Sequence, residues 1–106
     1  MRLSLLTITL ALSFNCIAEE ESPLAICDAY QGLAKAIMSN RQANVSLSEM
    51  MKVANGSKRQ QTLVEMAYEQ PAYSSDKNKK REALSFGNKV YLMCFKEVKY
   101  KGVNKQ

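Results

Sequence analysis

The sequence contains no histidine and no tryptophan. Without histidine it lacks the side chain most often used as a general base near neutral pH, and the commonest protein ligand of metals. Glycine is scarce, four in 106 residues, and no glycine-rich run is present to cradle a phosphate. Proline is limited to Pro23 and Pro71, so little interrupts long helices. Cysteine occurs only at Cys16, Cys27 and Cys94. The longest apolar stretch, Leu3 to Phe14, falls short of the about 20 residues that a membrane-spanning helix takes. The catalysis left open is narrow. Glu65 and Glu69 stand at i,i+4 on one helix face, a spacing that more often marks a solvated surface than a catalytic pair. Ser and Lys are plentiful, but no spacing singles out a dyad. The sequence names no catalytic residue, no metal site and no cofactor, and an enzyme is the less favoured class.

The chain opens with Met1-Arg2, the apolar stretch and Cys16-Ile17-Ala18, which reads as a secretory signal peptide, residues 1–18, cleaved after Ala18 with the small Cys16 at the −3 position. The rival reading is a lipoprotein acylated and anchored at Cys16. Phe14-Asn15 is a poor approach to such a cysteine. Residues 19–106 then form one exported domain, with no stable membrane insertion expected. Cys27 and Cys94 remain as an even pair in an oxidising compartment, which reads as a disulfide. The alternative is two unpaired buried thiols. A bridge would close a loop of nearly 70 residues, worth about 4 kcal/mol in the chain-entropy view.

The fold class follows from periodicity. Ser22-Pro23 is a helix start, an N-cap followed by proline at the first helical position. Cys27, Tyr30, Leu33, Ala34, Ile37 and Met38 then form a stripe that should end near Asn40 or Arg41. Ser46 and Glu49 make a capping box with Val45 and Met50 as its staple, and Gly56 suits a left-handed position after that short second helix, whose apolar residues are Met50, Met51, Val53 and Ala54. Ser57 and Gln60 open a third helix with the stripe Leu63, Val64, Ala67 and Tyr68, ending near Gln70 before Pro71. Ser75 or Asp76 caps a last helix reaching about Tyr100, with a loose tail after it. Leu84, Gly87, Val90, Tyr91, Cys94, Phe95 and Val98 lie along one face of that helix. Val90–Phe95 alone also fits a buried strand, but the flanking polar residues recur at helical phase. Gly87 on the apolar face points to close approach of another helix. The expected architecture is all-α, a compact four-helix domain with one disulfide joining the first and last helices.

Charge is mildly basic. Fifteen Lys+Arg against ten Asp+Glu give a net charge of +5; loss of Arg2 with the leader leaves fourteen against ten, or +4. Export argues against nucleic acid as a partner. Lipid phosphates, an acidic protein or simple solubility remain to explain the excess, and solubility is the plainest. Lys77, Lys79, Lys80 and Arg81 crowd the positive end of the last helix dipole, an unfavourable arrangement that a frayed turn or a bound anion relieves. Tyr68, Gln70, Pro71 and Tyr73 precede them. Aromatic anchors beside a cationic rim suit an acidic protein partner; the alternative is that Tyr68 packs inside and Tyr73 covers the core. The methionines at 38, 50, 51, 66 and 93 fit gap-filling in a helical core, with a promiscuous binding surface as the second reading.

Cys27, the stretch Asn40–Met51, Glu65–Tyr73 and Asn88–Cys94 together resemble small exported proteins of unknown function from proteobacteria and their phages. The resemblance supplies no activity. It implies that Cys27 pairs with Cys94 and that the protein resides in the periplasm. In architecture alone the chain is also similar to periplasmic acid-stress chaperones and to phage-encoded exclusion proteins. The favoured expectation is a periplasmic protein-binding module, an inhibitor or accessory of another exported protein such as a cell-wall enzyme. A periplasmic stress chaperone comes second and a small hydrolase third.

Overall fold

A computed structural model describes residues 22–104. The expected signal peptide, its cleavage site, Cys16 and the glutamates at 19–21 lie outside the described residues. Among the described residues there are four helices: α1 (Pro23–Gln42), α2 (Leu47–Val53), α3 (Lys58–Tyr68) and α4 (Asp76–Asn104). Among the described residues there is no strand, and no helix is long and apolar enough to cross a membrane.

Each helix start is written locally. Ser22 Oγ accepts the Ala25 N–H at 3.1 Å, Ser46 Oγ that of Glu49 at 3.1 Å, Ser57 Oγ that of Gln60 at 3.2 Å and Ser75 Oγ that of Asn78 at 3.1 Å. These bonds occupy N–H groups that the first turn leaves unpaired. At Ser46 the hydroxyl also donates to Glu49 Oε1 at 3.3 Å. Ser46→Ala should therefore lower stability by about 1 kcal/mol and Ser48→Ala by clearly less. Denaturant melts check this, and equal losses would place the start of α2 elsewhere.

Helix ends follow the same logic. The Asn44 N–H reaches Arg41 O at 3.1 Å and the Val45 N–H reaches Asn40 O at 3.0 Å, with Asn44 at φ 67°. This is the paired closure of a helix through a left-handed residue, with asparagine where glycine is commoner. Gly56, at φ 90°, takes the left-handed geometry expected of it before α3.

Three contacts fix the register of α1 against α4: the disulfide Cys27–Cys94, with Cα atoms 5.5 Å apart, Gln31 Nε2 donating to Asn88 Oδ1 at 2.9 Å, and Lys79 Nζ donating to Gln42 O at 2.7 Å. The two helices run antiparallel. α3 lies along α1 in the same direction, with Arg59 at Tyr30 and Arg41 at Tyr68. At Gly87 the side chains of α1 press close against α4. A Cβ there would stand 2.5 Å from Lys35 Cγ and 3.3 Å from Gln31 Cγ, so the expected close approach is made by α1.

The core gathers Ala34, Ile37 and Met38 of α1, Met50 and Ala54, Leu63, Val64 and Ala67 of α3, and Ala83, Phe86 and Val90 of α4. The stripes expected for α1 and α3 are found. That of α4 is rotated. Leu84 is 52% exposed and Phe95 39%, while Phe86 is 2% exposed in their stead. Leu92 and Met93 also face solvent, because α4 packs chiefly on α1 and does not have neighbours on every side. Val53, expected in the α2 stripe, is exposed as well. The C-terminal end is helical through Asn104, not loose from Lys101 as expected.

Candidate functional site

The connector from Gln70 to Tyr73 crosses the end of α1, and two α1 side chains hold it there. Arg41 Nε and Nη2 both donate to Gln70 O, at 3.0 and 2.9 Å. Gln42 Nε2 donates to Pro71 O at 2.9 Å, and Gln42 Oε1 accepts the Tyr73 N–H at 2.8 Å. The amide of Gln42, only 2% exposed, thus pairs with alternate residues of the connector. Sequence reasoning missed it. Arg41 also lies over the Tyr68 ring, 5.1 Å from its centroid, and the Tyr68 hydroxyl donates to Val45 O. Burial pushes the Tyr68 hydroxyl above its ordinary pKa against the opposing pull of Arg41, with Glu49 adding to the rise.

Of the residues expected to meet a partner, Tyr68, Gln70 and Tyr73 are half-buried and Pro71 is exposed. The hydroxyl of Tyr68, the carbonyls of Gln70 and Pro71 and the N–H of Tyr73 are all used inside the fold. The cationic cluster divides. Lys79 turns away from its own helix start to donate to Gln42 O, where α1 presents unpaired carbonyls and the negative end of its dipole. Antiparallel packing offsets for Lys79 what its place in α4 disfavours. Lys77, Lys80 and Arg81 are exposed.

Beside this junction α1 and α4 form an open hollow of about 650 Å³, its wall including Lys35, Ser39, Asn44, Lys79, Lys80 and Leu84. No carboxylate lines it. The sole ion pair among the described residues is Lys101–Glu97, at 3.5 Å, so none of the three lysines has an acidic partner there. The hollow joins three positive charges, two short polar side chains and the half-exposed Leu84. Lys35 was not foreseen as part of a site, while Lys77 and Arg81 fall outside the wall. Glu65 of α3 and Glu69, the residue that caps its C-terminal end, are exposed.

A second, more apolar groove opens at the other end of the bundle, beside the disulfide. Its volume is about 310 Å³, and Tyr30, Leu63, Met66, Val90, Met93 and Cys94 form its floor and walls. Comparison of the chain with protein-family models, with the curated proteins and with the solved structures finds no significant match in any of the three, so the chemistry of both concavities has to be read from their own residues.

Proposed function

We propose that the protein is a binding module of the periplasm, exported by a signal peptide of residues 1–18 that is then removed, and that it engages an acidic segment of another exported protein as its inhibitor or accessory. The observation that carries this reading is the hollow of Lys35, Lys79 and Lys80, which has positive charge on its wall and no carboxylate to neutralise it. Unpaired charges of one sign around a concavity favour a complementary partner and raise its encounter rate. Leu84, exposed in the same wall, gives that partner an apolar contact. The Cys27–Cys94 disulfide is compatible with an oxidising exported compartment.

Lys79 is a poor choice for the test, since it closes the end of α1. Lys35→Glu with Lys80→Glu reverses two exposed charges and leaves that bond intact. Capture from a proteobacterial periplasmic extract, with the captured protein identified by mass, is the measurement. An acidic protein retained by the parent chain should be lost by at least tenfold with the double variant, at an unchanged melting temperature. Capture that survives both charge reversals would refute the site.

A further inference from the structure

We propose that the groove beside the disulfide binds a single-chain anionic amphiphile, its alkyl chain in the groove and its head group on Lys58 and Arg59. The groove lies between α3 and α4, with Tyr30 of α1 contributing to its lining. Its volume, about 310 Å³, sits at the lower end of the roughly 300–1,000 Å³ typical of small-molecule pockets. Leu63, Met66, Val90, Met93 and Cys94 supply an apolar wall. Two methionines there provide flexible, polarisable surface that adapts to an alkyl chain.

Charge complementarity selects the head group. Lys58 and Arg59 stand on the α3 rim, in the first turn of an eleven-residue helix, where the helix dipole adds to their positive field. Arg59 lies over the Tyr30 ring, 5.5 Å from the centroid, and Nη1 reaches the Tyr30 hydroxyl at 3.4 Å. That contact orients the guanidinium and leaves most of its five donors for a ligand. The opposite rim carries Glu97, whose charge is offset by Lys101 at 3.5 Å. An apolar slot with cations along one edge matches a carboxylate or phosphate head with one chain. It does not match an uncharged or zwitterionic molecule. The site is distinct from the lysine hollow, which lies at the other end of α1.

Dodecanoate, below its micelle concentration, is the probe, and the methionine methyl groups of the ¹³C-labelled full-length chain are the reporters. Saturable shifts should appear at Met66 and Met93, with Met38 and Met50 of the core unmoved. Arg59→Glu with Lys58→Glu should weaken binding at least tenfold, and Arg59→Gln severalfold, at near-parent melting temperatures. Absence of saturable shifts at Met66 and Met93 would overturn the proposal. So would equal affinity for dodecanol, which keeps the chain and lacks the charge. Vesicles of zwitterionic and anionic phospholipid separate the two sources of such a head: shifts at the two methyls with vesicles and none with dodecanoate would assign the surface to a bilayer and refute a soluble ligand.

Discussion

Replacement of Cys27 and Cys94 together by alanine is expected to lower the unfolding free energy by about 4 kcal/mol, a large share of what a domain of this size possesses. The bridge joins residues 67 apart in sequence, and the entropy of the unfolded chain released by opening so long a loop sets the magnitude. The fold offers little to offset the loss locally. Every α1 member of the core cluster lies at Ala34 or beyond, and every α4 member at Val90 or before. Cys27 is fully buried, yet Leu24 and Ile26 before it and Leu92, Met93 and Phe95 around Cys94 are all partly in solvent. The disulfide therefore holds the end of the α1–α4 pair where the core is thinnest. Denaturant melts of the parent and the double variant give the difference directly. Hydrogen exchange should show amides of residues 24–30 and 91–101 losing protection first, ahead of those around Met38 and Phe86. A stability loss under about 1 kcal/mol would mean that the unfolded chain is already compact enough to make the bridge redundant.

The parts of the fold legible in the sequence are those written within a few residues. Ser22-Pro23, Ser46 with Glu49 and Ser57 each declare a helix start, and all three serines cap as their positions imply. The α1 and α3 stripes are interrupted by polar residues often enough to show their phase. In α4 the six apolar residues from Val90 to Phe95 erase it, and Leu84 then reads as core when Phe86 is the buried residue. The hollow was half legible. Lys79 and Lys80 stand out as a charge run, whereas Lys35 lies far upstream with no local signal. The disulfide holds the missing information. Two antiparallel helices rising equally from Cys27 and Cys94 bring Gln42, fifteen residues on, to Lys79, fifteen residues back. The same register sets Lys35 beside Gly87. Gln42 itself was not legible at all, because a glutamine at a helix end ordinarily faces water. It is buried here only because the connector folds back over it about thirty residues later.

Gln42→Leu is expected to cost about 2–5 kcal/mol despite the similar size of the new side chain. The parent amide satisfies the Pro71 carbonyl and the Tyr73 N–H in one stroke, and leucine leaves both without a protein partner. Each such orphan costs about 1–3 kcal/mol where water cannot replace the lost bond. Gln42→Glu distinguishes this account from simple loss of packing. The introduced carboxylate still accepts from Tyr73, but it faces the Pro71 oxygen and the Met38 sulfur, 2.9 and 3.4 Å from the parent nitrogen, with no proton to give. Burial and the facing carbonyl favour its neutral form; against the pull of Lys79, whose ammonium is held by the Gln42 backbone oxygen, they are expected to raise its pKa in the folded chain above the unfolded value of about 4.3. A carboxyl group shifted in that direction stabilises the fold below about pH 4 and loses that contribution as pH rises through the folded pKa. Gln42→Glu should therefore lie close to the parent in acid, where the protonated group donates to Pro71, and fall well below it at pH 7. Gln42→Leu should trail the parent at both. Melting temperatures of the three chains from pH 3 to 8 test this: a Gln42→Glu deficit that is constant across the range would show that donation to Pro71 does not govern the loss, and a Gln42→Leu chain as stable as the parent would show that the connector is held without this side chain.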